Sequence, residues 1–160
     1  MATWSEFSGE APEMAALFEK RVAASGLAML ATLRRDGFPR ISPIELEPRG
    51  GQLYLGMMPN STKALDLRRD PRCCLHSATV DKNVGEGDVK LFATAAEIVD
   101  EEGLQRWLHT LQPTDYKPEL GQFHLFEVDL VGGSSVRVDG DVLRIEVWTP
   151  GAGVRVETRT

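Results

Sequence analysis

The sequence predicts a mainly β protein, a small antiparallel barrel with helices inserted at its connections, and three observations predict it. Short apolar or alternating runs recur between turn residues from Leu27 to Trp148. The breaks between them are of hairpin type, with Asp36-Gly37, Gly50-Gly51 and Asp139-Gly140 at the turns. No G-x-G-x-x-G follows the first strand, and Gly85-Glu86-Gly87 lies in a polar stretch before a strand, so a doubly wound sheet is disfavoured. Seven or so antiparallel strands and three helices bury their edges best as a closed barrel.

The elements follow in order. Residues 12–24 place Met14, Leu17, Phe18 and Val22 on one helical face and stop at Ser25-Gly26, so 1–26 reads as an N-terminal packing helix. Residues 27–33 form a continuous apolar run, expected as a strand buried on both faces. Residues 40–47 pair with it across Asp36-Gly37, with Arg40, Ser42, Ile44 and Leu46 sharing a face and Pro43 marking an edge or bulge. Residues 52–58 alternate Leu53, Leu55 and Met57 against Tyr54, Gly56 and Met58, which completes an expected three-strand meander. A short helix opens at Asn60 or Ser61 and ends at Asp70-Pro71. Residues 72–79 are the fourth strand, 81–88 a polar loop and 89–99 the fifth strand. Asp100 caps a helix whose Leu104, Trp107, Leu108 and Leu111 form a core stripe. The loop 114–121 leads to a sixth strand at 122–131, and a last hairpin joins 135–138 to 141–148. Residues 27–148 are thus the barrel, 149–160 a tail, and the 160 residues one domain.

Composition narrows the partners. A chain of this length buries roughly 70% of its unfolded surface and needs no covalent staple. The formal charge of −6 argues against nucleic acid, which calls for a broad basic face. No run of 18 apolar residues and no basic-then-apolar N-terminus occurs, so a membrane partner is not expected and a cytoplasmic location is. Cys73 and Cys74 are adjacent in a strand and point to opposite faces, which disfavours a disulfide between them. His76, His109 and His124 offer no spaced metal-ligand set, so no metal site is expected.

The segment most suggestive of chemistry is Ser61-Thr62-Lys63. Free N–H groups at a helix start favour Asp or Glu, yet this first turn carries hydroxyls and a lysine, an arrangement suited to a bound phosphate. The alternative is an ordinary N-cap beside a solvated lysine.

The order of strand, Asp-Gly turn, strand, Gly-Gly turn, strand and short helix resembles the FMN-binding split-barrel family of pyridoxamine 5′-phosphate oxidase-like proteins. Thr62-Lys63-Ala64-Leu65-Asp66-Leu67-Arg68-Arg69-Asp70-Pro71-Arg72 is its most specific piece, and its wording looks closest to the branch that includes deazaflavin-dependent reductases. The resemblance spans roughly residues 27–131. It implies a split β-barrel, FMN or coenzyme F-420 as cofactor, and a homodimer acting on a small-molecule substrate. By position it carries Lys63, Thr62 and Ser61 onto the cofactor phosphate. Arg40, Ser42, Pro43 and Ile44 match the strand beside the ring and ribityl chain, and Gly56, Met57 and Met58 the strand end that flanks the ring. Related barrels bind haem, which would make His124 the axial candidate, but haem is the less expected occupant. The C-terminal segment Val147-Trp148-Thr149-Pro150-Gly151 departs from the arginine- and histidine-bearing strand of a true pyridoxamine phosphate oxidase, so vitamin B6 chemistry is not expected. The resulting expectation is hydride transfer to or from a small organic molecule. A flavin carrier or sensor without turnover is the alternative, and a barrel that binds no cofactor is a third reading. No catalytic side chain is singled out.

Overall fold

The computed structural model describes all residues except 79–81, 114, 116, 118 and 120. Among the described residues it contains four helices and nine strands in one antiparallel sheet. The helices are α1 (Trp4–Glu10), α2 (Pro12–Ser25), α3 (Thr62–Arg69) and α4 (Glu101–Leu108). The strands are β1 (Ala28–Leu33), β2 (Pro39–Ile44), β3 (Leu46–Arg49), β4 (Gln52–Met57), β5 (Arg72–His76), β6 (Asp88–Glu97), β7 (His124–Asp139), β8 (Val142–Thr149) and β9 (Gly153–Arg159). The main path runs β2-β1-β5-β6-β7-β4-β3, while β8 pairs with β7 and β9 with β8.

That order corrects the expected meander. β1 and β2 pair, and β3 and β4 pair, but these hairpins lie at opposite ends of the path. The strand expected over 40–47 is divided at Glu45, so one residue joins the two edges of the sheet where a closed barrel would have a ladder. The result is a split barrel. Each hairpin turn falls where the sequence put it, and at Gly50-Gly51 the φ values of +57° and +80° explain why both residues lack a side chain.

β7 is one strand of 16 residues where the sequence suggested a strand at 122–131 and a separate hairpin arm at 135–138, and it runs unbroken through Gly132-Gly133. The glycines answer to packing instead of a turn. A Cβ on Gly133 would lie 3.1 Å from Leu91 Cδ2 and 3.2 Å from the Lys90 carbonyl of β6. One edge of β7 is occupied first by β4, up to Val128, and later by β8, from Gly133. Ala2 fills the gap, exchanging two backbone hydrogen bonds of 2.8 Å with Leu130.

The N-terminal region is two helices, not one. Thr3 caps α1 through a reciprocal bond pair with Glu6, and Pro12 opens α2 at a position where its missing N–H has no partner to lose. Trp4–Phe7 and Phe7–Trp148 pack edge to face across the junction, the latter at 4.7 Å between ring centres, and Phe18 lies tilted against Trp4. The expected tail is also corrected, because residues 153–159 return as β9 against β8. Glu10 secures this hairpin by accepting from the buried Trp148 indole at 2.9 Å and from the Gly151 N–H.

β1 is buried on one face only. Ala28, Leu30 and Thr32 point inward, whereas Met29, Ala31 and Leu33 face outward and are partly exposed. In α4, Leu104 is buried but Trp107 and Leu108 are only half-buried, as is Leu111 beyond the end of the helix, and Trp107 packs on Phe123 outside the main core. The polar loop before β6 is described from residue 82, where Lys20 and Arg21 of α2 reach Glu86 and Arg21 donates to the Gly87 carbonyl. Residue 81 and much of the expected loop 114–121 lie outside the described residues.

Candidate functional site

α3 follows β4 through Met58-Pro59-Asn60-Ser61. Asn60 takes a left-handed φ of +59°, which asparagine tolerates better than most side chains. Its N–H donates to His124 Nε2 at 3.1 Å, and His124 Nδ1 lies 2.7 Å from Glu97 Oε1. Because Nε2 accepts, the remaining proton sits on Nδ1 and points at Glu97. Arg68 of α3 grips the same carboxylate, with Nη2 2.8 Å from Oε1. Burial raises the Glu97 pKa, but Arg68 and His124 outweigh it and hold the carboxyl below its ordinary value. The Asn60 loop, β7, β6 and α3 are thereby joined by one chain of hydrogen bonds.

Ser61 occupies the N-cap position but its side chain makes no capping hydrogen bond. The first-turn N–H groups of Thr62, Lys63 and Ala64 have no acceptor among the described residues, and no acidic residue lies in that turn. Lys63 Nζ donates to the Pro43 carbonyl of β2 at 2.7 Å. Burial pulls its pKa below the ordinary lysine value, with no opposing anion in contact.

These groups border a cavity of about 670 Å³. Pro43, Ile44, Gly56, Met57, Met58, Ser61, Thr62 and Lys63, all singled out in the sequence, line it together. Arg40 and Ser42 lie outside it. Ser42 stands opposite Leu30 in the β1–β2 ladder. Arg40 faces a neighbouring cavity of about 420 Å³ with Arg34, Arg35 and Arg69, and Thr62 borders both cavities. Arg40 Nε donates to Asp66 Oδ2 at 2.6 Å, and Arg69 and Thr32 bond the same buried carboxylate. Desolvation works against the Asp66 charge, but these three partners win and its pKa is lowered.

The sequence reading missed Leu27, Glu45, Pro59 and Asn60 on the cavity wall, and it named His124 only as a haem candidate, not as the acceptor behind the Asn60 loop. Pro59-Asn60 carried a turn signal that could have been followed. Nothing local marks His124, which reaches Asn60 across 64 positions of chain.

Among the described residues no cluster of three potential metal ligands occurs and no helix is long and apolar enough to cross a membrane. Cys73 and Cys74 are both free thiols, and burial, with the neighbouring Cys74, raises Cys73 to about 12, which makes it unreactive.

Comparison with known proteins gives the family and the fold. The family model described as pyridoxamine 5′-phosphate oxidase matches residues 12–137, and the chain belongs to this family of flavin-binding split barrels. No curated protein matches the sequence. An FMN-binding protein from Nostoc punctiforme superposes with a TM-score of 0.68 at 14% identity, covering 94% of this chain and 96% of that one. PhzG from Burkholderia lata, solved with tetrahydrophenazine-1-carboxylic acid, gives 0.65 at 11% identity, with 96% of both chains covered. A heme-binding protein from Mycobacterium smegmatis gives 0.55 at 22% identity, covering 91% of this chain and 57% of that one. At these identities the neighbours establish the fold.

Proposed function

We propose that this protein is a flavin- or deazaflavin-dependent oxidoreductase that carries FMN or coenzyme F-420 with its phosphate at the start of α3. The observation that carries the reading is the unpaired first turn of α3 beside the Lys63 ammonium, bordering a cavity of about 670 Å³. A phosphate there would accept from Thr62, Lys63 and Ala64 N–H groups and take the Lys63 charge that now rests on a carbonyl. Ser61 and Thr62 hydroxyls complete the cradle. Pro43 and Ile44 flank the ring on one side, with Arg40 and Ser42 further along the same strand, and Gly56, Met57 and Met58 flank it on the other. The bound cofactor supplies hydride chemistry, while these residues orient it and exclude water. His124 uses both ring nitrogens within the chain, which favours a flavin over haem.

The working unit in this proposal is a homodimer with two shared sites. Ile41, Ala31, Cys74 and Phe92 are cross-strand neighbours on the outward face of β2, β1, β5 and β6, an apolar row in which Ile41 is 69% and Phe92 45% exposed. Pro43 lies on this outward face too, so a second copy seated on the row would cover the Lys63 cavity.

Titration of the full chain with FMN and with F-420, followed by absorbance and fluorescence, tests the cofactor. Substrate-dependent reoxidation of the reduced complex tests turnover. Micromolar binding of either cofactor with reoxidation by a small organic acceptor is the expected result; binding without reoxidation by any acceptor would make it a carrier, and no binding would end the reading.

A further inference from the structure

A second cavity, of about 510 Å³, lies between the C-terminal half of α2 and the β2–β3 junction. Its floor is apolar, formed by Phe18, Val22 and Leu46, all buried members of the core. Its charged residues are both acidic. Glu19 of α2 and Glu45 of the junction are exposed, and neither has a hydrogen-bond or ion-pair partner among the described residues. The cavity also meets Gly26, the C-cap of α2, where the aligned peptide dipoles present partial negative charge and the last turn holds no basic residue to answer it. Two unpaired carboxylates and a helix C-terminus therefore act on one apolar basin from different elements, and among the described residues no Lys or Arg borders it.

From this we infer that the α2 cavity is a binding site for a small apolar organic cation, a protonated or quaternary amine carrying a hydrocarbon or aromatic body. The body displaces water from Phe18, Val22 and Leu46, and the ammonium lies at the rim between Glu19 and Glu45. The polarity of this site is opposite to that of the Lys63 cavity. Glu45 borders both, so a cation held here lies next to the occupant of the anion-seeking cavity. The inference does not rest on the flavin reading, because the α2 cavity is complete in one chain without any cofactor.

Calorimetric titration of the full chain with benzyltrimethylammonium chloride, benzyl alcohol and benzoate tests it, with and without added FMN. The cation is expected to bind more tightly than the neutral alcohol and benzoate not at all, with the preference fading as salt is raised. Glu19→Gln and Glu45→Gln should each weaken the cation by about two- to fivefold, the range of an exposed ion pair, and leave benzyl alcohol unchanged. Both side chains are exposed, so the variants should keep the parent unfolding temperature. Equal binding of cation and alcohol, no response to either substitution, or no binding at millimolar concentration would overturn the inference. Binding that occurs only in dissociated monomer would overturn it also, since a basic side chain of a second copy would then be the occupant. Loss of FMN binding with the cation site intact would instead contradict the flavin reading alone.

Discussion

At the residue scale, the side chain with the most structural consequence outside the core is Asp66. It is 4% exposed and accepts from Arg40, Arg69 and Thr32, tying α3 to β1 and β2. Asp66→Ala is expected to cost about 1.5–3 kcal/mol, the range for hydrogen bonds to a charged group, and denaturant unfolding at neutral pH measures it. Its pKa is lowered in the fold, so its contribution is fully present above the unfolded value of about 3.9 and fades as pH falls through the folded value. The wild type should therefore lose stability below about pH 4 more steeply than Asp66→Ala; equal acid limbs would show that the carboxylate is not held by its partners. Such a residue was half legible in the sequence. Asp66 shares a helix with Arg69, three positions on, but its contacts with Arg40 and Thr32 depend on how β1 and β2 pass under α3. Lys63 could be singled out because its oddity is local, a cation where helix electrostatics prefers an anion, and its phosphate role stands as a proposal. The bond from Asn60 to His124 could not be foreseen in that way, because it joins a side chain to a backbone N–H on another element.

The helices and hairpins whose signals are local came out of the sequence well. Asp100 caps α4 through Gly103 N–H at 2.7 Å, and the Asp36-Gly37 and Asp139-Gly140 turns lie between the strands that they were expected to join. What local pattern could not supply was partner choice. Hydrophobic alternation in β4 is satisfied equally by pairing with β2 or β7, and only the completed sheet selects β7. The same limit misread α4, whose helical stripe is real but has little core to face. Leu104 is 4% exposed while Trp107 packs mainly on Phe123. Leu104→Ala is expected to cost about 2–4 kcal/mol, and Trp107→Ala clearly less, by denaturant unfolding. The reverse order would mean that Trp107 anchors the helix.

For the whole molecule, the split in the barrel and the site belong together. Glu45 interrupts the strand that would close the sheet, and the Lys63 cavity lies along that interruption, between Ile44 and the end of β4. The outward apolar row on β2, β1, β5 and β6 was invisible as a surface in the sequence, where the β1 run read as buried on both sides. In the proposed homodimer a second copy would cover those residues and satisfy both readings. Ile41→Asp is expected to convert a dimer of twice 17.6 kDa to monomer in sedimentation and to weaken cofactor binding in parallel. A monomeric wild type that binds cofactor tightly would separate the fold from the shared-site proposal. The central claim, however, is that the start of α3 holds a phosphate, and a double difference tests it most directly. Whichever cofactor binds more tightly should be titrated beside its dephosphorylated counterpart, against wild type and Lys63→Ala. The account predicts that wild type prefers the phosphorylated form and that Lys63→Ala removes about 1.5–3 kcal/mol of that preference while leaving the dephosphorylated form nearly unaffected. An equal loss for both forms, or no loss for either, would contradict it.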